Sequence, residues 1–330
     1  MPKLSIIMPT YNGKRFLAEQ IDSILAQDDE DFELLITDDG STDGTRALTD
    51  EYAARDRRIR VVPSTGNLGQ NNRLAQLLGE SRGEYVAISD QDDRWAPDRN
   101  SRLFAAMHGR PMAFGRSELI DGEGTAKGKS LLEALGAQFG AGVRLRALFE
   151  PMFSAHATIV EREYLTAGSL ASPMPFDWLM ALESLFSRGL VYVDEAVVFH
   201  RIHGGNQVNN IEIARGKFFS EHLRWLVLFR RPARQRLWLV LEYLGRSPLL
   251  DTATRRMFAT LGQRAYVVWF SEWRSLRNDG GLKADLMEAL EPFAGSSQDR
   301  DWFAAQVDML TRPAASRAML AEVRARMRMR

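Results

Sequence analysis

The sequence predicts an α/β fold built on a doubly wound, mostly parallel sheet. Before residue 90, four short apolar runs alternate with stretches of helical or turn character, the order expected of parallel strands joined by crossover helices. The four runs are Leu4 to Met8, Phe32 to Thr37, Ile59 to Pro63 and Glu84 to Ser89. The segments Leu34 to Ile36 and Tyr85 to Ile88 are almost entirely apolar, as in strands covered on both faces.

The segments between these runs supply the helices. Apolar residues from Phe16 to Leu25 fall at helical spacing. Capping residues from Ser41 to Thr45 favour a second helix that ends near Arg55, and Leu68 to Leu78 gives a third. The pattern weakens from Phe114 to Gly142, and the many glycines between Gly115 and Gly128 predict a hairpin or a mobile loop.

The length of 330 residues favours two units. We expect residues 1–210 to form the α/β domain and residues 211–330 to form a helical segment. The second segment is rich in arginine, and its apolar stripes include Trp225 and Trp238 on either side of Pro232. Core packing or homodimerisation is its favoured role, and peripheral contact with anionic lipid headgroups is the alternative.

The composition excludes several classes of function. Lysine plus arginine equals aspartate plus glutamate at 43 each, so no overall field attracts nucleic acid. The absence of cysteine excludes disulfides, thiolate metal sites and cysteine nucleophiles. The apolar start of the chain is read as a first strand, because it is too short for a signal peptide, and no run reaches the roughly 20 apolar residues of a spanning helix. We therefore expect a cytoplasmic protein.

Polar clusters follow the first, second and fourth predicted strands. They are Pro9-Thr10-Tyr11-Asn12, Asp38-Asp39-Gly40-Ser41 and Asp90-Gln91-Asp92-Asp93. In doubly wound sheets, ligands bind beyond the carboxyl ends of the strands. We expect the three clusters to converge in space.

Asp90, Asp92 and Asp93 place three carboxylates within four residues, which repel one another unless a cation or solvent compensates them. Carboxylates suit the hard ions Mg²⁺ and Mn²⁺, and so few protein ligands leave coordination positions open for diphosphate oxygens. A solvated acidic turn is the ordinary alternative. The position after an apolar strand, with Trp95 and Pro97 nearby, favours a metal site.

Asp38 and Asp39 end the second predicted strand. A carboxylate there can accept a hydrogen bond from the imide N–H of uracil or thymine, and the alternative role is helix capping. We favour Asp39 for the base. Tyr11 can stack on or border the same base, although an aromatic residue in a turn is more often packed.

These motifs resemble, in order and spacing, those of family 2 glycosyltransferases. The matching stretches are Pro9 to Asn12, Thr37 to Asp43, Asn67 to Gly69 and Ser89 to Trp95, and the resemblance covers residues 3–205. It implies a GT-A fold, a nucleoside diphosphate sugar as donor, and Mg²⁺ or Mn²⁺ as cofactor. The implied nucleotide contacts are Pro9, Thr10, Tyr11, Asn12, Asp38, Asp39, Asn67, Asp90 and Gln91, and the implied metal ligands are Asp92, Asp93 and His203.

Members of this family carry a catalytic base on a later helix, commonly in a Glu-Asp pair. The resemblance assigns the base to Asp177, where Phe176 replaces the usual glutamate. Glu183, nearly two turns further along the same predicted helix, is the alternative base. For Asp177 itself, an N-cap is the structural alternative.

The stretch from His200 to Asn206 resembles the segment with which many family members close over the donor diphosphate. In that reading His203 binds the metal or a phosphate oxygen, and Arg201 neutralises diphosphate charge. The resemblance also places His156 and Trp178 at the acceptor pocket.

The resemblance implies a single displacement with inversion at the anomeric carbon. Ser89 to Trp95 is similar to the corresponding stretch of surface-polysaccharide rhamnosyltransferases, so dTDP-rhamnose is one expected donor and a UDP-hexose the other. The expected acceptor is a saccharide or lipid-linked saccharide, which would place the enzyme at the inner face of the plasma membrane. The alternative function is a noncatalytic nucleotide-sugar-binding or scaffolding component of a polysaccharide assembly machine.

Overall fold

The computed structural model describes residues 1–203, 233–266 and 280–311, apart from residues 136, 138, 141, 142, 150 and 173. These residues fall into two compact units. The first contains residues up to 137 and residues 152–203, and the second contains the remaining described residues. The predicted boundary between residues 210 and 211 lies outside the described part of the chain.

The first unit is built around a nine-stranded sheet. Its strands are β1 (Leu4–Thr10), β2 (Phe32–Asp38), β3 (Ile59–Val61), β4 (Tyr85–Ile88), β5 (Arg94–Trp95), β6 (Met112–Ile120), β7 (Ala126–Ser130), β8 (Thr158–Glu161) and β9 (Leu190–Arg201). Their order is β3-β2-β1-β4-β8-β6-β9-β5, with β7 paired to β6. The sheet is parallel over β3, β2, β1 and β4 and mixed beyond them, so the predicted α/β fold is confirmed.

Twelve helices are described in the two units together. They are α1 (Lys14–Leu25), α2 (Thr45–Arg55), α3 (Gln70–Glu80), α4 (Arg99–Met107), α5 (Leu131–Leu135), α6 (Val143–Ala147), α7 (Ala167–Ala171), α8 (Phe176–Phe186), α9 (Ala233–Leu244), α10 (Thr252–Tyr266), α11 (Gly280–Leu290) and α12 (Ser297–Thr311). The helix α3 begins at Gln70, two residues later than predicted. Gly69 has a φ of 82°, and the backbone N–H groups of Leu68 and Gly69 donate to the carboxylate of Asp39, which follows β2.

The glycine-rich segment forms the β6–β7 hairpin, which confirms one of the two structures predicted for it. The turn is held by Asp121, whose Oδ1 accepts hydrogen bonds from the backbone N–H groups of Glu123 and Thr125, both at 2.9 Å. Gly124, with a φ of 85°, supplies the left-handed residue that the turn requires.

The second unit is helical, as predicted, in its described residues. α6 and α9 to α12 belong to it, and it has its own buried core, which includes Leu237, Leu241, Phe258, Leu286 and Phe303. The predicted interfacial residue Trp238 packs its ring against Tyr266 at 5.7 Å between centroids, whereas Trp225 and Pro232 lie outside the described residues. Among the helices that the structure describes, none combines the length and apolar character that a membrane span requires.

Gly115 lets β6 pack tightly against β9. A Cβ added at this position would lie 2.2 Å from Cγ2 of Val197. We expect Gly115→Ala to lower the free energy of unfolding by about 1–3 kcal/mol, the usual cost of overpacking a core. Urea denaturation followed by circular dichroism measures this difference.

The matched control is Gly79→Ala in α3, because a Cβ there meets nothing within 4 Å. Alanine favours a helix over glycine by up to about 1 kcal/mol, so this variant should be slightly more stable. Val197→Ala removes both methyl groups that the new Cβ would meet. If Gly115→Ala costs as much in that background as in the wild type, the steric explanation is wrong.

Candidate active site

The three polar clusters meet at one edge of the sheet. β1 pairs in parallel with β2 on one side and with β4 on the other, so their carboxyl ends lie side by side. The backbone of Tyr11 exchanges two hydrogen bonds of 2.9 Å with the side-chain amide of Gln91. The backbone N–H of Asn12 donates to Ser41 Oγ at 2.8 Å. The predicted convergence of the clusters is therefore confirmed.

Asp38 stabilises the turn after β2. Its Oδ2 accepts hydrogen bonds from the backbone N–H groups of Gly40 and Ser41, at 3.1 and 2.9 Å. Its Oδ1 accepts from the hydroxyl groups of Ser41 and Thr10, at 2.5 and 3.3 Å. Asp38 and Thr10 are both buried, and their hydrogen bonds stabilise the turn. The predicted contact of these two residues with a nucleotide stays a prediction.

Asp39 closes the loop that leads into α3. Its Oδ1 accepts hydrogen bonds from the backbone N–H of Leu68 at 2.7 Å and from Nε of Arg73 at 2.8 Å, and its Oδ2 accepts from the N–H of Gly69 at 2.9 Å. Arg73 is buried and also donates to the carbonyl oxygen of Gly66 at 2.6 Å. This buried ion pair gives the loop its shape.

The geometry of this loop is compatible with the predicted base site. Tyr11 is 45% exposed, and Asn67 is exposed at the loop closed by Asp39. The backbone N–H of Asp39 donates to the carbonyl oxygen of Thr10 at 2.8 Å, which places Asp39 beside the Tyr11 turn. A carboxylate oxygen has two acceptor positions, so Oδ2 can accept an imide N–H in addition to that of Gly69. The contact itself stays a prediction.

Each aspartate of the acidic loop, residues 90–93, lies against a different histidine. The pairs are Asp90 with His156 at 3.5 Å, Asp92 with His203 at 2.9 Å and Asp93 with His200 at 2.9 Å. The exposed fraction of the three carboxylate side chains falls along the loop from 32% to 15% to 0%. The innermost carboxylate is thus the one most fully enclosed by protein.

Asp93 and His200 form a buried ion pair. Burial alone would lower the pKa of His200, but the charge and hydrogen bond of Asp93 raise it to about 9, so the imidazole is protonated near neutral pH. Burial opposes the ionisation of Asp93, yet His200 holds its pKa below the usual value. The Oδ1 of Asp93 also accepts the backbone N–H of Arg201 at 3.0 Å, while its buried Oδ2 has no hydrogen-bond partner among the described residues.

Asp92 and His203 lie together, as the metal prediction requires. Burial raises the pKa of Asp92, the hydrogen bond of His203 opposes the rise, and the charges of Asp93 and Asp90 add to it. A raised carboxylate pKa indicates negative charge that its surroundings do not fully compensate. A divalent cation bound by Asp92 and His203 would supply that compensation.

A candidate metal site of acids and histidines is present at this edge of the sheet. Asp90, Asp93, His156 and His200 bring one potential ligand atom each within 4.8 Å of one another. The two imidazole rings are stacked, with centroids 4.6 Å apart and planes 5° from parallel. Because an imidazole binds a metal in the plane of its ring, two parallel stacked rings cannot both bind one ion well. We therefore expect at most one of these two histidines to serve as a ligand.

Asp177 lies on the first turn of α8 and near the same cluster. Burial raises its pKa to about 6, a backbone hydrogen bond from Trp178 opposes the rise, and His156 and Asp90 are among the charges that act on it. A carboxylate with such a pKa is largely ionised at neutral pH and can accept a proton. Glu183, the alternative base, is 3% exposed and leaves the helix on a different side.

Arg201 is bound on all sides by protein. Its Nη2 donates to Glu19 at 2.6 Å, its Nε to the carbonyl oxygen of Asp92 at 3.0 Å, and its Nη1 to the carbonyl oxygen of Gly122 at 3.2 Å. The guanidinium also lies over the ring of Phe16. The predicted contact of Arg201 with diphosphate stays a prediction, and the structure gives this side chain a role in holding the acidic loop to β9.

The two residues predicted for the acceptor pocket are both buried. Trp178 is 0% exposed and belongs to the core. His156 is 3% exposed, and its ring nitrogens lie 2.8 Å from the hydroxyl groups of Ser117 and Ser154. Contact of either residue with an acceptor stays a prediction, although His156 lies among the charged groups of the site.

Several residues of the site were not found from the sequence. Arg99, in α4, is fully buried and donates to the backbone carbonyl oxygens of Thr158 at 2.7 Å and His156 at 3.3 Å. Burial lowers its pKa to about 9. Arg73 and Glu19 were also missed. Each lies inside a helix, and a charged residue in a helix gives no sequence signal that separates a buried position from a solvated one.

Residues 5–167, about half of the chain, match the glycosyl transferase family 2. TuaG of Bacillus subtilis, named for teichuronic acid biosynthesis, is 36% identical over 113 residues, which are 34% of this chain and 45% of TuaG. The GalNAc(5)-diNAcBac-PP-undecaprenol beta-1,3-glucosyltransferase of Campylobacter jejuni is 35% identical over 126 residues, 38% of this chain and 40% of that protein. The chain therefore spans less than half the length of these relatives.

Among solved structures, TarS 1-349 of S. aureus in complex with UDP-GlcNAc is similar in fold, with a TM-score of 0.56 at 16% identity. The match covers 94% of this chain and 89% of that chain. At this identity the likeness concerns the fold, and it confirms the predicted GT-A architecture. The matched family region contains the loops after β1, β2 and β4 that form the site, and on these residues the chain belongs to the glycosyl transferase family 2.

Proposed function

We propose that this protein is a metal-dependent, inverting glycosyltransferase that moves a sugar from a nucleoside diphosphate to a hydroxyl group of a saccharide or lipid-linked saccharide. The observation that carries the proposal is the pairing of Asp92 with His203 at 2.9 Å, on the same acidic loop as Asp90, whose charge acts on Asp177. Two ligands bound about 2.1 Å from one ion and at right angles lie about 3 Å apart. The pair is therefore spaced as two ligands of a single cation.

The donor atoms of the site decide which cation to test first. A carboxylate suits Mg²⁺ and Mn²⁺ alike, but an imidazole nitrogen such as that of His203 is a poor ligand for Mg²⁺. Mn²⁺ is therefore the preferred ion. When bound, it would neutralise negative charge on the departing diphosphate.

The nucleoside is proposed to lie at the loop after β1. Tyr11 offers an exposed aromatic face, and Asp39 offers an acceptor for an imide N–H. Both uracil and thymine carry that imide, so UDP and dTDP sugars are both candidates. The sequence resemblance favours rhamnose, and the structure of TarS with UDP-GlcNAc makes UDP the first nucleotide to test.

Asp177 is proposed as the catalytic base. Its carboxylate removes the proton from the acceptor hydroxyl as the oxygen attacks the anomeric carbon, and the bond from that carbon to the diphosphate breaks with its electron pair on the leaving group. The new bond forms on the opposite face, so the configuration inverts. A pKa of about 6 keeps the base ionised at neutral pH but strong enough to accept a proton.

The acceptor is proposed from the relatives. TuaG is named for teichuronic acid biosynthesis, and the Campylobacter jejuni relative for transfer to an undecaprenol-linked saccharide. A saccharide or lipid-linked saccharide acceptor is consistent with both names. A noncatalytic nucleotide-sugar-binding or scaffolding protein is the second candidate, and it would bind a donor without transfer or hydrolysis.

The first test is thermal protection by a panel of nucleoside diphosphates and their sugars, with and without Mn²⁺. A ligand that binds only the folded state raises the unfolding temperature. The nucleotide that protects most strongly then supplies the donor for transfer assays. Binding of a donor without release of nucleoside diphosphate, in the presence of a range of saccharide acceptors, would favour the scaffolding role.

Removal of either proposed metal ligand should abolish the effect of Mn²⁺ on nucleotide binding. For Asp92→Asn and His203→Asn, we expect UDP alone to protect the fold as in the wild type, while the added protection by Mn²⁺ disappears. Differential scanning fluorimetry measures both quantities. The matched control is His108→Asn, because His108 is exposed with a φ of 44°, a conformation that asparagine also tolerates. Transfer that continues in excess chelator would contradict the metal role.

Replacement of Asp177 by Asn should lower turnover by roughly 10²–10⁴-fold, the usual effect of losing a general base, and leave UDP affinity unchanged. The wild-type rate should rise with pH through about 6, because the carboxylate must lose its proton to act as a base, and should level off above that value. The variant should lack this rise. Initial rates of nucleotide release measured across pH 6 test both expectations.

Glu183→Gln is the control for the position of the base. If this variant loses turnover and Asp177→Asn keeps it, Glu183 is the base. If Asp177→Asn loses UDP affinity as well as turnover, Asp177 has a structural role.

A further inference from the structure

We propose that Gln91 is a positioning residue that couples nucleoside binding to cation binding. It joins the nucleoside loop, residues 9–13, to the acidic loop, residues 90–93. The inference rests on the proposed function, because it assigns the base to the first loop and the cation to the second. It adds a mechanical link between the two ends of the donor site.

The link consists of two hydrogen bonds to a single residue. The Oε1 of Gln91 accepts the backbone N–H of Tyr11, and its Nε2 donates to the carbonyl oxygen of Tyr11, both at 2.9 Å. A side-chain amide has one donor end and one acceptor end, so it satisfies both backbone groups at once. These two hydrogen bonds fix the orientation of the amide against Tyr11.

Gly13 makes room for this amide. A Cβ on Gly13 would lie 2.1 Å from Oε1 and 2.4 Å from Cδ of Gln91. The backbone of Gly13 has a φ of −103° and a ψ of 5°, which any residue can adopt. The small size of glycine rather than its backbone freedom therefore matters here, because a Cβ at this position would displace the Gln91 amide. Because α1 begins at the next residue, Lys14, the amide packs against the residue that precedes this helix.

The rest of the nucleoside loop is tied to the β2 side of the site. The backbone N–H of Asn12 donates to Ser41 Oγ, and its Oδ1 accepts the N–H of Thr42, both at 2.8 Å. Gln91 connects this assembly to the β4 side. Asp92, the proposed cation ligand, is the next residue after Gln91, so a shift of Asp92 toward a bound ion moves the backbone that carries the amide.

Coupling between two sites is reciprocal, so a cation at Asp92 should tighten nucleoside binding at Tyr11 by the same factor as the nucleoside tightens cation binding. A nucleoside diphosphate cannot reveal this link, because its phosphates contact the cation directly. A nucleoside without phosphates does not contact the cation, so any effect of the cation on its affinity must be transmitted by the protein.

The experiment measures the dissociation constants of uridine and thymidine for the full chain, by isothermal titration calorimetry, in Mn²⁺ and in chelator. We expect the better nucleoside to bind the wild type about fivefold more tightly in Mn²⁺, within the usual range for coupled sites. Gln91→Met keeps the length of the side chain and removes both hydrogen bonds. In this variant, the ratio of the nucleoside dissociation constant in chelator to that in Mn²⁺ should fall to about one. UDP should still bind this variant in Mn²⁺.

The control Gln27→Met separates loss of coupling from loss of stability. The Gln27 amide also bridges two backbone groups, the carbonyl oxygen of Ala96 at 2.7 Å and the N–H of Asn100 at 3.0 Å, but it joins the segment after α1 to the start of α4. This variant should unfold at a lower temperature and keep the wild-type ratio. Gly13→Ala should lower the ratio in the wild type and have no further effect in Gln91→Ala, where the clash is absent.

The outcomes distinguish this inference from the proposed function. If neither nucleosides nor nucleoside diphosphates bind with or without Mn²⁺, the proposed function fails and the inference with it. If UDP binds in Mn²⁺ but the nucleoside ratio is one in the wild type, or is the same in Gln91→Met, then only the coupling role of Gln91 is overturned.

Discussion

Repulsion among the three carboxylates at the end of β4 is the constraint on which the rest of the site depends. Like charges this close in the chain are costly in a folded protein unless they are compensated. Three of the chain's five histidines lie against them, from the segment before β8 and from the end of β9, and His200 compensates the most deeply buried carboxylate, Asp93. The acidic loop therefore acquires its shape only when the sheet beyond β4 has formed, which makes the site a product of the whole first unit.

The three pairs also differ in exposure. Asp93, with no exposed surface, anchors β9 through His200 and the backbone N–H of Arg201. Asp92 and Asp90 keep some exposed surface. Anchoring the innermost carboxylate holds the end of the acidic loop at β9, so that a shift of Asp92 toward a bound cation would involve the preceding part of the loop, where Gln91 lies.

The sequence was sufficient to predict the fold and the meeting of the three loops, because strand order follows from apolar periodicity and loop position from strand direction. The sequence was not sufficient to predict which charged side chains pair with one another. The pairing of Asp39 with Arg73 depends on the path of the loop between them, and that of Asp90 with His156 crosses 66 residues of chain. The contact of Gln91 with a nucleotide stays a prediction, and the hydrogen bonds between its amide and the backbone of Tyr11 were not predicted, because no residue pattern encodes them.

The register between β5 and β9 links backbone pairing to charge. Arg94 lies opposite Phe199, and Trp95 lies opposite Val198, so His200 falls directly beside Asp93, the residue that precedes β5. A slip of one residue that brings Phe199 opposite Asp93 would turn His200 to the other face of the sheet. That slip would leave a fully buried carboxylate without its cation, a change that costs several kcal/mol. The Asp93–His200 ion pair therefore fixes the register of β5 against β9, although β5 contains only two residues.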